Sequence, residues 1–383
     1  MFVYADNAAT TRVSDAVVAA MLPYFTEHYG NPSSTYPLGQ EASAALIRAR
    51  ETIAACLGCL PSELTFTSGG SEAVNQILRS AAAWGKAHGR THLIASAIEH
   101  HAVLNTLEDL KTAGFSVTLL PVGPEGVVSP ADLKAALTPQ TALVSVMLAN
   151  NETGALQPIQ QLAELAHGAG ALFHTDAVQA VGHIPITLKN SPVDFLSASA
   201  HKFHGAKGNG FLFAKRGFEL QPLIFGGAQE RGKRAGTENV PGIVGMAVAL
   251  QEACDHMTEN TKRMEEARDA LQEKLGVLPG TRVHAGTLLR LPGHLNMAFE
   301  GVSAEALLPV LGMAGICVSS GSACASGSPD PSHVLLAMGC SPDEAKSSLR
   351  FSLGDDITPE QVEYVAETVK REVERLRNLH QRR

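Results

Sequence analysis

The sequence has 383 residues, 45% hydrophobic and 18% charged, which predicts a folded chain of roughly two or three domains and excludes extensive disorder. Its 30 lysines and arginines against 38 aspartates and glutamates give a net charge of −8, which argues against a general binder of nucleic acid or anionic membranes. The sequence shows neither an apolar run of the roughly 18 residues that a membrane span needs nor a secretory signal pattern. We therefore expect a cytoplasmic protein.

The six cysteines are few for this length, so a reducing compartment is favoured over a disulfide framework. Cys56 and Cys59 form a C-x-x-C pair. A zinc site would need a second ligand pair at a comparable spacing, and a redox site would need a thioredoxin-like context. The sequence offers neither pattern, so we expect both cysteines to pack at a helix end, and we predict no metal site.

Short apolar runs alternate with longer amphipathic stretches, which is the pattern of an α/β fold. Strands are predicted, in chain order, at residues 92–96, 116–121, 142–148, 171–175, 195–198 and 210–214. Helices are predicted at residues 40–57, 71–88, 102–113, 159–168 and 241–275. Strands separated by helices pair in parallel through right-handed crossovers, so we expect a mostly parallel sheet.

The pattern changes after the long helical stretch. A strand at 294–299, a helix at 304–314, a Gly/Ser loop and a closing helix at 359–377 predict a smaller α+β unit. We place the boundary near residue 255. Residues 14–254 are then the large α/β domain, and residues 1–13 and 255–383 are the small domain.

Polar residues follow four of the predicted strands, at the edge where open α/β sheets bind ligands. They are Glu99-His100-His101, Asn150-Asn151-Glu152, Asp176 and His201-Lys202. One such group would be an ordinary loop, whereas four together predict a binding site.

Three features of the sequence have both a chemical and a purely structural interpretation. Lys202 is either a surface lysine or a desolvated lysine that forms a Schiff base. Asp176 either pairs with the pyridine nitrogen of pyridoxal 5'-phosphate or caps the following helical segment. The Gly-Gly turn in residues 67–72 either binds a phosphate at a helix N-terminus or only connects a strand to a helix.

Two residues of the C-terminal part also suggest chemistry. Cys324 lies in the Ser/Gly-rich segment 319–332, which predicts a mobile loop and an accessible, nucleophilic thiol. Arg350 lies in an apolar run, where a buried arginine needs an anion; that anion is either a substrate carboxylate or an internal acidic side chain.

Ten motifs, in order and across essentially the whole chain, resemble the group I cysteine desulfurases, the NifS/IscS-like enzymes of the class-V aminotransferase superfamily. They are DNAATT (6–11), GNPSS (30–34), TSGGSE (67–72), EHHAV (99–103), NNETG (150–154), HTDAVQ (174–179), SAHK (199–202), RAGTEN (234–239), SSGSAC (319–324) and RFSLG (350–354). SAHK together with SSGSAC is the most specific combination. The resemblance implies fold type I, with a mostly parallel seven-stranded sheet, and pyridoxal 5'-phosphate as cofactor.

The resemblance also implies a homodimer with its active sites at the subunit interface and the conversion of L-cysteine to L-alanine. The sulfur would remain as an enzyme persulfide and pass to an acceptor, such as an iron–sulfur scaffold protein. SLGDD (352–356) departs from the family pattern, and we expect Asp355 and Asp356 to weaken substrate binding if they face Arg350. The long C-terminal extension by which housekeeping members dock their scaffold is not found here, so docking of that kind is not predicted.

Residue roles follow from the same resemblance. Lys202 would form the Schiff base, Cys324 would attack the substrate sulfur, and His100 would stack on the ring and assist proton transfer. The further cofactor contacts would be Asp176 at the pyridine nitrogen, Asn151 and Gln179 at the ring, and Gly70, Ser71, Ser199, His201 and the partner's Thr237 at the phosphate. Asn31 and Arg350 would bind the substrate carboxylate.

Three other functions share parts of this pattern. A fold-type-I aminotransferase would need Lys202 and Asp176 but no loop thiol, so Cys324 discriminates against it. A selenocysteine lyase would use the same cofactor and differ in its relative rates on the two substrates. A non-catalytic scaffold would not form a Schiff base.

Overall fold

The computed structural model describes residues 1–286, 289–320 and 330–381. Within them the strands are β1 (Val3–Tyr4), β2 (Leu64–Thr67), β3 (His92–Ser96), β4 (Ser116–Leu120), β5 (Thr141–Ser145), β6 (Leu172–Asp176), β7 (Phe195–Ser199), β8 (Gly210–Ala214), β9 (Thr281–His284), β10 (His294–Phe299), β11 (Ile316–Cys317) and β12 (Ser348–Ser352). The helices are α1 (Asp15–Met21), α2 (Pro23–Thr26), α3 (Pro37–Leu57), α4 (Gly70–Ala87), α5 (His101–Thr112), α6 (Pro130–Ala136), α7 (Ile159–Gly168), α8 (Val240–Asp255), α9 (Met257–Gly276), α10 (Ala304–Met313), α11 (His333–Ala337), α12 (Pro342–Lys346) and α13 (Pro359–Gln381).

Seven strands form the large sheet in the order β2-β8-β7-β6-β5-β3-β4. Strand β8 runs antiparallel to both β2 and β7, and the other neighbours are parallel. The predicted mostly parallel sheet is therefore confirmed. Strands β3, β5 and β7 are buried along their whole length because helices cover both faces, which explains their continuous apolar sequences.

The sequence predicted six of these seven strands. The missing one is β2, a four-residue edge strand whose LTFT sequence is too short for a periodicity argument. It precedes the glycine turn that leads into α4, so it fixes the position of that turn against β8.

The single long helix predicted at 241–275 is wrong. The chain forms α8 and α9 instead, separated at His256, whose φ of −104° and ψ of 6° end the helical path. Both segments are amphipathic, and a one-residue interruption leaves little trace in a hydrophobic pattern.

The C-terminal part contains an antiparallel sheet in the order β12-β10-β9. The N-terminal β1 pairs with β11 in parallel, and Asn7 N donates a hydrogen bond to Ser352 O, so the first residues lie against this part of the chain. An apolar cluster, which includes Leu271, Phe299 and Phe351, fills the space between this sheet and its helices. The predicted domain boundary near residue 255 stays a prediction.

The carboxyl ends of β3, β6 and β7 meet at one edge of the large sheet. Their following residues form the site described below. Among the described residues, the helices are all too short or too polar to cross a membrane.

Candidate active site

A cavity of about 250 Å³ lies at the carboxyl edge of the large sheet. Its wall contains nine of the residues predicted for the site: Gly70, Ser71, His100, Asn151, Asp176, Gln179, Ser199, His201 and Lys202. A larger cavity of about 730 Å³ lies between the N-terminal segment, α8 and α9, and its lining includes none of the predicted residues. We assign the chemistry to the smaller cavity because the polar strand ends meet there.

Lys202 is buried, with only 8% of its surface exposed, in a short turn that follows β7. Its Nζ donates hydrogen bonds to the backbone oxygens of Ala8 and Ala9, the second at 2.8 Å. The structure thus favours the chemical interpretation of Lys202 over that of a surface lysine. The N-terminal segment, which the sequence did not assign to the site, positions this amine through its carbonyl groups.

Asp176 ends β6 and is connected to a hydrogen-bonded row that runs across the sheet. Its Oδ1 accepts hydrogen bonds from Val178 N at 3.0 Å and from Ser197 Oγ at 3.2 Å. Ser197 is its register partner on β7, and His174 Nε2 lies 3.3 Å from the same Ser197 Oγ. Both of these hydrogen bonds reach Oδ1, and the described residues donate none to Oδ2, which can therefore face a ligand cation.

The row ends at Ser145 on β5, whose Oγ lies 2.8 Å from His174 Nδ1. Burial lowers the pKa of His174 to about 3, so its ring is neutral at physiological pH, and burial raises the pKa of Asp176. No role was predicted from the sequence for His174, Ser145 or Ser197. A signal was present, because His174 and Asp176 are two residues apart on one strand and therefore share a face.

His100 begins α5 as its N-cap residue. Its Nδ1 accepts a hydrogen bond from Ala102 N at 3.1 Å, so the proton of the neutral ring is on Nε2. Burial lowers the pKa of His100, which favours that neutral form. A neutral imidazole in the cavity wall can pack on a flat aromatic ring and donate one hydrogen bond.

The turn before α4 has the properties of an anion site. A Cβ atom on Gly70 would lie 2.6 Å from Val178 Cγ2, so only glycine fits there and the backbone reaches the cavity. Ser71, Ser199 and His201 surround the same end of the cavity. Burial and two nearby lysines lower the pKa of His201 to about 4.

Three predicted residues are outside the cavity wall. Asn31 is exposed, and its Oδ1 accepts a hydrogen bond from Ser33 N at 3.0 Å. Thr237 is exposed in the loop before α8. Arg350 is 2% exposed on β12 and does not line the cavity. Cys324 lies outside the described residues.

Arg350 has an internal acidic partner, one of the two alternatives predicted from the sequence, and that partner is Asp6. Its Nη2 donates to Asp6 Oδ1 at 2.7 Å, and its Nη1 donates to Asn151 O at 2.9 Å. Within the described part of the chain its Nε has no hydrogen-bond partner. The carboxylate beside Arg350 is therefore Asp6, whereas Asp355 accepts a hydrogen bond from Asn260 Nδ2 at 2.9 Å.

Comparison with known proteins identifies the family of the chain. Residues 3–365 match the profile of the family described as aminotransferase class-V. The chain belongs to the class-V aminotransferase family.

This member of the family is 46% identical to the cysteine desulfurase IscS of Methanosarcina thermophila, over 98% of the present chain and 93% of that protein. A solved structure titled as a NifS-like protein superposes with a TM-score of 0.92 at 40% identity and covers 98% of this chain and 100% of that one. A structure titled as SspA in complex with cysteine has a TM-score of 0.81 at 35% identity and covers 92% and 99% of the two chains. These matches confirm the predicted NifS/IscS-like resemblance and the fold.

Enzymes of this family depend on pyridoxal 5'-phosphate, and the cavity residues fit that cofactor. The buried Lys202 amine would form a Schiff base with the aldehyde carbon of the cofactor. The Asp176 carboxylate would pair with the protonated pyridine nitrogen. The flat His100 ring matches its aromatic face, and the N-terminus of α4 matches its phosphate.

Proposed function

We propose that this member of the class-V aminotransferase family is a cysteine desulfurase that converts L-cysteine to L-alanine and leaves the sulfur as a persulfide on Cys324. The placement of Lys202 and Asp176 in one cavity wall carries the proposal, because it provides the amine and the carboxylate that the cofactor needs. The 46% identity to a cysteine desulfurase and the likeness to a structure with cysteine support the substrate. Cys324 distinguishes this reaction from amino-group transfer.

Pyridoxal 5'-phosphate supplies an electron sink for the bonds at the substrate Cα. Lys202 holds the cofactor and moves protons at the substrate Cα. Asp176 keeps the ring nitrogen protonated, since a buried carboxylate without a cation is costly. His100 presents Nε2–H to the reacting groups.

Sulfur transfer is assigned to Cys324. Its thiolate attacks the substrate sulfur, an S–S bond forms, and the carbon–sulfur bond breaks with its electron pair left on the substrate. Protonation of that carbon skeleton gives alanine, and the sulfur remains on the enzyme. An external thiol or scaffold protein then accepts the sulfur from the persulfide.

We also propose that the protein is a cytoplasmic homodimer. Thr237 is exposed and lies outside the cavity wall of its own chain, which supports a role for it at the phosphate of the partner's site. The proposed domains are residues 14–254 and residues 1–13 with 255–383. One apolar cluster lies wholly in the smaller unit, which supports this division, and a further cluster around Met147 and Leu335 joins the two units.

One experiment tests the proposed reaction. The purified holoenzyme is incubated with L-cysteine, alanine is quantified, and protein persulfide is mapped by mass spectrometry. We expect alanine and a persulfide on Cys324 in the wild type, a retained cofactor spectrum without sulfide release in Cys324→Ser, and loss of the cofactor's visible absorbance in Lys202→Ala. Cys59→Ser and the exposed Lys215→Ala serve as matched controls.

Two results would contradict the proposal. Wild-type turnover in Cys324→Ser would remove the persulfide role from that thiol. A normal cofactor spectrum with neither product from L-cysteine would exclude the desulfurase reaction and direct the assay to selenocysteine or to amino-group transfer.

A further inference from the structure

Three side chains with metal-ligand chemistry meet outside the wall of the cofactor cavity. They are His284 at the end of β9, Cys340 just before α12 and Glu344 within α12. Cys340 Sγ lies 3.6 Å from His284 Nδ1, and Glu344 Oε1 lies 4.0 Å from the same nitrogen. These three atoms all lie within 4.8 Å of one another.

The hydrogen bonds around His284 fix which ring nitrogen has a free lone pair. Ser348 Oγ donates its only proton to Glu344 O at 2.7 Å, so it must accept from His284 Nε2 at 3.1 Å. The proton of the neutral ring is therefore on Nε2, and Nδ1 presents its lone pair to Cys340 and Glu344. This is how a metal-binding histidine is held by its second nitrogen.

Burial and charge also favour a cation at this point. His284 and Cys340 are buried, and the Glu344 side chain is 21% exposed. Glu344 Oε1 accepts no hydrogen bond from the described residues, although Arg282 Nη1 lies 3.0 Å away.

We propose that His284, Cys340 and Glu344 bind one zinc ion, with a water molecule as the fourth ligand. Tetrahedral bonds of about 2.3 Å to sulfur and about 2.0 Å to nitrogen place those two ligand atoms about 3.5 Å apart. The observed separation of Sγ and Nδ1 is 3.6 Å, so His284 and Cys340 already have the spacing of a zinc site. A small rotation of the Glu344 side chain completes the set.

Zinc suits these ligands better than magnesium or calcium, which prefer oxygen. Binding converts the Cys340 thiol to a thiolate and releases its proton to solvent. The ion would connect β9 to α12. Cys340 belongs to an apolar cluster with Val334, Leu335 and Met147, and Met147 also lines the cofactor cavity, so the ion would stiffen the packing behind that cavity.

Sequence spacing did not reveal this site, because its ligands come from two segments that are distant in the chain. Cys340 and Glu344 are four residues apart at the start of one helix, but His284 reaches them only through the pairing of β9 with β10 and of β10 with β12. The alternative to a metal ion between Cys340 and His284 is a hydrogen bond, since the Cys340 thiol can donate to His284 Nδ1 at the same separation.

Metal binding is tested on the holoenzyme with Cys324→Ser as background, so that the proposed active-site thiol contributes no ligand. Zinc per chain is measured by elemental analysis after dialysis, and Co²⁺ is titrated to detect thiolate charge-transfer and tetrahedral ligand-field absorbance. We expect one ion per chain and a Tm that rises by a few degrees with Zn²⁺. Removing one ligand should weaken affinity by about 100-fold or more, because loss of even an outer-shell partner costs about 10- to 100-fold.

The variants Cys340→Ser, His284→Gln and Glu344→Gln are compared with the control Cys59→Ser, and circular dichroism checks that each is folded. Loss of the ion in folded Cys340→Ser and His284→Gln, with retention in Cys59→Ser, supports the proposal. Wild-type zinc content in either folded ligand variant, or no zinc and no cobalt spectrum in the background protein, overturns it. If Cys340→Ser does not fold, the same criterion applies to His284→Gln.

Discussion

At the scale of single residues, burial decides the protonation state of the groups beneath the site. Glu99 is fully buried, and its Oε1 accepts hydrogen bonds from Ser96 Oγ and from Met147 N at 2.8 Å. Among the described residues its Oε2 has no partner. Burial raises the pKa of Glu99 from 4.5 to about 8, so the carboxyl group is neutral at pH 7.

This neutral acid makes stability depend on pH. Because the folded pKa lies above the unfolded one, the folded state holds an extra proton between pH 4.5 and about 8. Its contribution to stability is present below pH 4.5, falls by up to about 1.4 kcal/mol per pH unit through that window, and is lost above it. Glu99→Gln keeps an acceptor at Oε1 and a neutral group at Oε2, so we expect it to remove this slope.

The measurement is the free energy of unfolding in urea from pH 4.5 to 9 at one protein concentration. Glu265→Gln, at an exposed position on α9, is the control, and its free energy of unfolding should change with pH as that of the wild type does. Parallel curves for the wild type and Glu99→Gln would show that Glu99 has an ordinary pKa in the folded protein.

At the scale of elements, the turn between β2 and α4 determines whether the anion end of the cavity stays open. Gly70→Ala adds a methyl group 2.6 Å from Val178 Cγ2, which forces the turn or the valine to move. We expect cofactor affinity to fall about 10-fold or more, and the double variant Gly70→Ala/Val178→Ala to recover most of it, because the clash is removed.

Equilibrium binding of pyridoxal 5'-phosphate to the apoenzyme measures this effect. Gly312→Ala, in α10 with no atom near the added Cβ, is the control and should bind like the wild type. An unchanged affinity in Gly70→Ala would show that the turn does not contribute to cofactor binding.

At the scale of the whole molecule, the described surface exposes several large apolar side chains. Phe225 is 85% exposed, Tyr29 is 67% exposed and Phe25 is 58% exposed. A contiguous apolar patch marks an interaction surface, whereas a single exposed aromatic side chain is common. These three side chains are candidates for the interface of the proposed homodimer.

If Phe225 is buried in the interface of the proposed homodimer, we expect Phe225→Ser to weaken dimerisation by at least about 10-fold, because a buried aromatic interface residue contributes about 2 kcal/mol or more. Sedimentation velocity over a range of concentrations measures it, and Met313→Ser, 81% exposed on α10, is the control. A wild-type protein that is monomeric throughout would contradict the homodimer. A variant that dimerises like the wild type would exclude Phe225 from the interface.

How much the sequence predicted depends on the range of the interactions involved. Strands β3, β8 and β10 and helix α7 were predicted with their observed bounds, since apolar runs and turn residues specify them locally. Strand β12 was recognised only as an apolar run around Arg350, because a strand buried on both faces shows no alternation. The resemblance named nine residues that the structure gathers in one cavity.

The sequence by itself determined the α/β class and the family and predicted the chemistry of Lys202, Asp176 and Cys324, because these depend on residue types within short motifs. Only the tertiary structure decided which groups neighbour them. The pairing of Arg350 with Asp6 joins residues 344 positions apart, and the row from Asp176 to Ser145 follows strand register. The cluster of His284, Cys340 and Glu344 arises the same way, since contacts between distant segments depend on packing that no local pattern records.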